Sequence, residues 1–204
     1  MKRLNNSAVY HCTKRYSKES QNLEKRRIGQ LQDNPIVGIV MGSENDSPIV
    51  EKAVSVLKEL GVPFEVTLSS AHRMPEKTAS YAKSARQRGI EVIIAAAGMA
   101  AHLAGAIAAN TTLPVIGIPI KSGELNGLDA LYSTVQMPTG VPVATVAING
   151  AANAAYLAAS ILSIKHPEIL DKLKDYRENT RKSLVEKSNI LYRRFSIREG
   201  EKKL

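Results

Sequence analysis

The sequence has no tryptophan, two phenylalanines and a single cysteine among its 204 residues. The lone Cys12 excludes an intrachain disulfide and a cysteine metal cluster, and it favours a reducing, cytoplasmic setting. The longest apolar run, from Val92 to Ala101, is too short to cross a bilayer and contains a glycine. No charged and then apolar stretch opens the chain, so we expect neither a secretory signal nor a membrane partner.

The net charge of +9 would by itself favour a nucleic-acid-binding protein. Residues 1–34 contain 8 Lys and Arg against 3 Asp and Glu, residues 35–164 contain 8 against 9, and residues 165–204 contain 12 against 7. The central part therefore lacks the concentrated basic surface that a groove for a phosphate backbone requires. We interpret the basic ends as solvated segments and expect no nucleic-acid partner.

The apolar pattern divides the chain into three segments. Residues 1–34 show no sustained apolar periodicity, which predicts a basic, mobile extension. Residues 35–164 alternate strand-like and helix-like units and are predicted to form one α/β domain, with a core of Ala, Val, Ile and Leu. Residues 165–204 are predicted to form a C-terminal helical extension.

Five strand–helix units follow one another in the α/β domain. Strand-like runs cover residues 36–41, 64–69, 90–97, 115–118 and 143–148, and helical spacing covers residues 46–60, 75–88, 100–110, 125–135 and 151–162. This succession predicts a three-layer, doubly wound parallel sheet of the flavodoxin-like kind, with strand order 2-1-3-4-5. Residues 168–195 then form an amphipathic segment whose apolar positions need a partner surface; these are Ile169, Leu170, Leu173, Tyr176, Leu184, Ile190 and Leu191.

One turn joins a titratable imidazole to a fixed cation. His72 and Arg73 follow the second strand, and Pro75 opens the next helix. In an open α/β sheet, ligands bind at the carboxyl ends of the strands, where such turns lie. Histidine changes protonation near neutral pH, and arginine binds phosphate or carboxylate. The pair indicates chemistry on a phosphorylated small molecule, although helix capping and packing are also common roles for these residue types.

Two further turns carry polar side chains after neighbouring strands of the predicted order. Ser43 and Asp46 follow the first strand, where they suit an anion or ribose hydroxyls or, alternatively, cap a helix. Gly98 and His102 follow the third strand within a run of small residues that could line a tight cavity or pack a helix on the sheet. Strands one, two and three are neighbours in the predicted sheet, so we expect the three turns to converge.

Residues from about 35 to 162 resemble the bacterial N5-carboxyaminoimidazole ribonucleotide mutase family. The matching segments are Met41-Gly42-Ser43 with Asp46; Ser70-Ala71-His72-Arg73 with Pro75; Gly98 with Ala100-Ala101-His102-Leu103 and Gly105; Pro114-Val115-Ile116-Gly117 with Pro119; Asn126-Gly127-Leu128-Asp129 with Leu131; Val135-Gln136-Met137-Pro138; Gly140; and Pro142 through Ile148. Their order and length make the resemblance highly specific.

The resemblance implies a purine-biosynthesis isomerase that moves a carboxylate from the exocyclic N5 to ring carbon C4 of an aminoimidazole ribonucleotide, through loss and recapture of CO2. It implies no metal and no organic cofactor, and a homo-octameric assembly. His72 matches the general acid–base that moves the proton at C4. The implied substrate-binding residues are Ser43, Asn45, Asp46, Ser70, Arg73, Gly98, His102 and Leu103. A histidine and a dry, small cavity suit this chemistry.

The sequence departs from the family pattern at three positions. Asn45 replaces a serine, Met99 replaces a glycine and Ala104 replaces a proline. Arg73 favours the mutase branch over the animal-type carboxylases, in which lysine usually follows the catalytic histidine. The alternatives are direct CO2-dependent carboxylation of aminoimidazole ribonucleotide, a related carboxylase acting on a pyridine nucleotide, and a nucleotide-binding module without catalysis.

Overall fold

The computed structural model describes residues 34–196, whose strands form one parallel sheet. The strands are β1 (Val37–Met41), β2 (Phe64–Leu68), β3 (Val92–Gly98), β4 (Val115–Ile120) and β5 (Ala144–Thr145). They are arranged in the order β2-β1-β3-β4-β5, and every neighbouring pair is parallel. The predicted fold class and strand order are confirmed. The predicted extension over residues 1–34 lies outside the described residues except for Asn34.

Helices cover both faces of this sheet. They are α1 (Ser47–Glu59), α2 (Pro75–Ala85), α3 (Leu103–Ala108), α4 (Leu128–Val135), α5 (Ala151–Leu162) and α6 (Pro167–Phe195), and a short 3₁₀ turn (Glu44–Asp46) precedes α1. One apolar cluster joins β-strand side chains to α1, α5 and the start of α6, and a second joins the opposite face to α2 and α3. The core therefore lies in two layers, one on each side of the sheet.

Helix α5 reaches the first of these layers through alanine. Its five fully buried alanines are Ala151, Ala154, Ala155, Ala158 and Ala159. Side chains of one methyl group let the helix lie close to the sheet and to α1, which compensates for the scarcity of large aromatic residues in the core.

The strands β4 and β5 differ from the prediction at their ends. Strand β4 continues through Pro119 to Ile120. Proline has no backbone N–H, but at this position the N–H would face the β5 side, where no residue of the ladder needs it. The Pro119 carbonyl faces the same side and accepts a hydrogen bond from the Asn149 N–H. Strand β5 has only two residues. Beyond it, the Val146 N–H bonds to the Gly117 carbonyl and the Asn149 N–H bonds to the Pro119 carbonyl. The chain thus advances three residues against two of β4, and the regular ladder ends.

Two helices begin later than predicted, at Leu103 rather than Ala100 and at Leu128 rather than Leu125, and left-handed residues lie just before the first predicted start and just after the second. Met99 has a φ of +55°, and α3 begins only after His102. Asn126 and Gly127 have φ values of +53° and +90°, so α4 begins at Leu128. Residues in the left-handed region cannot continue a right-handed helix. Both turns therefore remain loops at the end of the sheet.

The C-terminal helix α6 is half attached to the domain and half exposed. Ile169 and Leu173 are buried in the core, and the ring of Tyr176 lies 4.5 Å from that of Tyr156. The apolar residues further along are exposed; they are Leu184, Val185, Ile190, Leu191, Tyr192 and Phe195. Within residues 34–196 no helix is long and apolar enough to span a membrane.

Candidate active site

The turns after β1, β2 and β3 meet in one cavity of about 550 Å³ at the carboxyl end of the sheet. Parallel pairing of the three strands brings these turns to the same edge. All nine residues that the sequence singled out line the cavity; they are Ser43, Asn45, Asp46, Ser70, His72, Arg73, Gly98, His102 and Leu103. The predicted convergence of the turns is confirmed, whereas the role of each side chain stays a prediction.

The first turn is fixed by reciprocal capping. The Ser43 backbone N–H donates to Asp46 Oδ2 at 3.0 Å, and the Asn45 N–H donates to Ser43 Oγ at 3.3 Å. Together these bonds form a capping box around the short 3₁₀ turn. The capping role considered from the sequence is therefore real, and it leaves the Ser43 hydroxyl hydrogen available to a ligand.

Asp46 is the buried carboxyl group of the cavity, with 6% of its surface exposed. Burial raises its pKa above the usual value of 3.8, although N–H groups of Ser43 and Gly42 act in the opposite direction. A partly desolvated carboxylate is a strong acceptor for a hydroxyl group. Asp46 is therefore suited to a ribose hydroxyl and unsuited to a phosphate.

Arg73 is held across the first and second turns. Its Nε donates to Ser70 Oγ at 3.4 Å, and its Nη2 donates to the Gly42 carbonyl at 3.3 Å. The Ser70 hydroxyl also accepts from the Arg73 backbone N–H at 3.3 Å. These neutral partners orient the guanidinium without neutralising it, because neither is a carboxylate. Arg73 therefore presents a positioned positive charge to the cavity.

The two histidines of the cavity bond to each other. His72 Nε2 and His102 Nδ1 are 2.9 Å apart, and their rings are nearly perpendicular, with an interplanar angle of 84°. They come from turns 30 residues apart in the sequence, and both side chains are exposed to the cavity. One ring must donate and the other accept, so the tautomer of either ring depends on its neighbour. The arrangement can hold and move a proton.

The third turn is braced by two serines from later in the chain. The Met99 N–H donates to Ser122 Oγ at 3.1 Å, and the Ala101 N–H donates to Ser133 Oγ at 2.9 Å. A Cβ on Gly98 would collide with Ser122 Oγ and lie 3.2 Å from the Ile120 carbonyl. Glycine is therefore required at position 98 by the close approach of the loop after β4.

Sequence reasoning missed Gly42, Ala71 and Ser122 as cavity-lining residues, whereas Ala97, Met99 and Ala100 belong to the run at the end of β3 that was expected to line a cavity. Met99, which departs from the family pattern, also lines this cavity. Ser122 could have been found from the sequence, since it comes two residues after β4 and so lies at the same sheet edge.

Among residues 34–196, no three His, Cys, Asp or Glu side chains lie close enough to hold a metal ion together.

These features define a doubly wound α/β protein with a polar ligand cavity at the carboxyl ends of its central strands. The family model described as AIR carboxylase matches residues 36–183, and the chain belongs to this family. The resemblance stated from the sequence motifs is thereby confirmed.

Individual relatives agree with the family assignment. The N5-carboxyaminoimidazole ribonucleotide mutase of Pyrococcus horikoshii is 57% identical over 164 residues, which cover 80% of this chain and 93% of the relative. The mutase of Bacillus subtilis is 54% identical over 159 residues, covering 77% and 98%. The crystal structure of Treponema denticola PurE matches with a TM-score of 0.71 and 33% identity, covering 78% of this chain and 99% of that one.

Proposed function

We propose that the protein converts N5-carboxyaminoimidazole ribonucleotide into 4-carboxy-5-aminoimidazole ribonucleotide, and that the reaction takes place in the cavity containing His72. The predicted enzyme class, a mutase of de novo purine biosynthesis, is confirmed by relatives of that name and by the family match. The observation that carries the site assignment is the placement of His72, His102 and Arg73 around one cavity. We also propose a cytoplasmic location, since the charged nucleotide substrates of this class do not cross membranes unaided.

In the overall reaction, N5 loses a carboxyl group and gains a proton, and C4 gains a carboxyl group and loses a proton. The N5–carboxylate bond breaks, N5 takes up a proton and CO2 is freed. Carbon C4 of the resulting aminoimidazole ribonucleotide then attacks CO2, and the new C4–carboxylate bond forms as the C4 proton leaves. No oxidant or reductant is consumed, because the carboxyl carbon and the proton only exchange positions.

We assign His72 the role of the general acid–base that transfers the proton at C4. Its Nε2 shares a hydrogen bond with His102 Nδ1, so the ring has a fixed orientation and a neighbour that responds when it gains or loses a proton. Histidine can accept and return a proton at neutral pH, which is what the exchange at C4 requires. His102 is assigned a positioning role through this bond.

The ribose and phosphate are assigned to the first two turns. Arg73 supplies a positive charge for the phosphate, and charge-assisted hydrogen bonds of this kind are strong and directional. Asp46 supplies a buried acceptor for a ribose hydroxyl, and Ser43, Asn45 and Ser70 add polar contacts around the same cavity. Gly98, His102 and Leu103 are assigned to the wall that surrounds the freed CO2, where exclusion of water favours recapture.

The assignment is tested by comparing two substrates with the purified enzyme. We expect rapid product formation from the N5-carboxylated ribonucleotide and little from uncarboxylated aminoimidazole ribonucleotide with bicarbonate. The second substrate tests direct carboxylation, which is favoured by a relative named phosphoribosylaminoimidazole carboxylase in Schizosaccharomyces pombe, 48% identical over 159 residues that cover 29% of that protein. A preference for uncarboxylated substrate would replace the mutase assignment by a carboxylase, and turnover of neither would leave a binding module.

We propose further that the chain assembles as a homo-octamer. Two apolar surfaces of the described residues support assembly. One is formed by the exposed residues Leu128, Tyr132 and Val135 of α4 with Leu125 of the turn before it, and the other is the distal half of α6. Burial of each such side chain against a neighbouring copy would contribute roughly 1.5–3 kcal/mol before ordering costs.

Truncation tests the contribution of α6 to assembly. Removal of residues 167–204 would also remove Ile169 and Leu173 from the core, so a chain ending at Ser183 isolates the exposed half. We expect this shorter chain to form a smaller oligomer, as measured by light scattering, and to have lower turnover. Full mass and full turnover in the truncated chain would show that distal α6 has no part in assembly, and a monomeric full-length chain would exclude the octamer.

A further inference from the structure

We propose that Met99 determines how well the site retains CO2, because it adds a large apolar side chain to the lining of the cavity that contains the histidine pair. The inference rests on the proposed function, since retention matters only when a small molecule is freed and recaptured. It assigns a specificity-determining role to a residue that departs from the family pattern.

The backbone of Met99 is in an unfavourable conformation for its residue type. Its φ is +55°, in the left-handed region that bulky L-residues rarely adopt. Within residues 34–196 the other non-glycine residues with positive φ are Asn126 and Asn149, and asparagine tolerates this region far better. Methionine at position 99 is therefore maintained against the local backbone preference.

Hydrogen bonds hold this conformation from both sides. The Met99 N–H donates to Ser122 Oγ at 3.1 Å, and the Met99 carbonyl accepts at 2.8 Å from the Ala101 N–H, which also donates to Ser133 Oγ at 2.9 Å. The two serines lie on different elements, the loop after β4 and helix α4. Both backbone polar groups of Met99 are thus engaged by the surrounding structure, and its position along the cavity wall is defined.

The side chain of Met99 has no role in the core. Met99 is 62% exposed and belongs to neither apolar cluster, yet it lines the cavity between Gly98 and Ala100. Its immediate neighbours have no side chain or a single methyl group, so Met99 supplies most of the apolar bulk of this turn. A strained backbone that exposes a large apolar side chain at a ligand cavity indicates a functional constraint.

The chemistry of CO2 explains why an unbranched thioether suits this position. CO2 has no net charge, and its recapture competes with escape into water. Apolar contact and exclusion of water therefore retain it better than a charged group would. Methionine has three rotatable bonds, so its side chain can move aside for a ribonucleotide and then pack over the reacting groups.

The test measures how much CO2 from solution enters the product. Purified full-length enzyme converts the unlabelled N5-carboxylated ribonucleotide in ¹³C-bicarbonate buffer with carbonic anhydrase, and mass spectrometry gives the ¹³C fraction of the product at early times. We expect a low fraction in the wild type, a severalfold higher fraction in Met99→Gly, and a fraction near the wild-type level in Met99→Leu, which keeps the apolar bulk.

Asn126→Gly is the matched control, since it relieves the same kind of backbone strain outside the cavity. It should leave the ¹³C fraction unchanged. An active Met99→Gly enzyme with the wild-type ¹³C fraction would overturn the inference, as would an equal rise in Asn126→Gly. Failure of the wild type to convert the substrate would instead overturn the proposed function, so the two failures are distinguishable.

Discussion

Histidines lie at both ends of the sheet, and their surroundings differ. At the carboxyl end, the rings of His72 and His102 are exposed to a cavity and form hydrogen bonds only with each other among the described residues. At the amino end, His166 is 4% exposed and its two ring nitrogens face carboxylates, with Nε2 at 3.1 Å from Glu91 and Nδ1 at 3.5 Å from Glu168. An imidazole that faces open space and another imidazole can exchange protons with a ligand, whereas a buried one between carboxylates fastens two elements together.

The cluster at the amino end has the electrostatics of a structural junction. Burial raises the pKa of Glu91, but hydrogen bonds from Lys165 and His166 outweigh this effect and hold its pKa below the usual 4.5. Its ionised form is thus favoured by folding, and the cluster ties the start of α6 to the strand that Glu91 precedes. Asp46, at the opposite end, has its pKa raised by burial. The charge at one end is neutralised by protein partners, and at the other it is left for a ligand.

The largest expected effect comes from His72. His72→Asn should lower kcat by about 10²- to 10⁴-fold, the usual contribution of a positioned acid–base group, while circular dichroism and substrate binding remain close to wild type. The result distinguishes the two ends of the sheet only if His166→Asn retains kcat per folded molecule. Near-normal turnover in His72→Asn would remove His72 from its assigned role.

Arg73→Ala should act on binding more than on the chemical step. Loss of a charge-assisted phosphate contact should weaken substrate binding by about 1.5–3 kcal/mol, which appears as a higher KM. Steady-state kinetics at varied substrate concentration measure it. Arg86→Ala is the matched control, because Arg86 is an exposed arginine that bonds to Thr112 outside the cavity. An unchanged KM in Arg73→Ala, or an equal rise in the control, would contradict the phosphate assignment.

His166→Ala should affect stability and leave the chemistry intact. Removal of the buried ring takes away the partner of Glu168 and leaves Glu91 with Lys165 alone, which should lower the free energy of unfolding by about 1–3 kcal/mol. Lys165→Ala removes the exposed partner of the same Glu91 carboxylate and should cost only about 0–1 kcal/mol. Urea titration measures both values. A lower kcat per folded molecule in His166→Ala would show that the amino end also serves catalysis.

The smallest expected effect is a shift in pH dependence caused by Asp46. Its pKa is raised, so the carboxylate gains its proton at a higher pH than an ordinary aspartate when the solution is acidified. The neutral group accepts a ribose hydroxyl less well, so KM should rise as the pH falls through this raised pKa. The same shift makes the ionised form unfavourable in the folded state, so Asp46 lowers stability as the pH rises from about 3.8 through its folded pKa.

Asp46→Asn should abolish both of these pH effects. KM should be higher than in the wild type at neutral pH and nearly constant toward acid pH. Kinetics and thermal unfolding at a series of pH values measure the two effects separately. An acid rise in KM that persists unchanged in Asp46→Asn would place the titrating group elsewhere.

The strands could be predicted from local sequence, and their order and the convergence of the turns follow from the topology typical of five successive strand–helix units. Apolar runs mark the strands, and parallel topology then places Ser43, His72 and His102 at one edge. The hydrogen bond between His72 and His102 could not be predicted, since it depends on the relative depth of two loops 30 residues apart. The left-handed backbone of Met99 could not be predicted for a related reason, because Ser122 and Ser133, far along the chain, hold its turn.

The boundaries that differed are those set by tertiary contacts. Strand β5 is short because an extra residue between Val146 and Asn149 interrupts the ladder with β4. No local sequence pattern predicts this interruption. The start of α4 could have been predicted better, since Asn126-Gly127 is a typical left-handed pair. Apolar periodicity continued through it because Leu125 and Leu128 are spaced as on a helix, but both are exposed.

The alanine face of α5 restricts how this protein can vary in evolution. A single nucleotide change converts an alanine codon to valine, threonine, serine, glycine, proline, aspartate or glutamate, depending on the codon. At positions such as Ala154 and Ala158, which have no exposed surface, the larger products overfill the contact with the sheet, the charged ones are buried without a partner, and proline breaks the helix. Most single-step replacements are therefore closed to this helix, so sequence change must accumulate on surfaces such as distal α6.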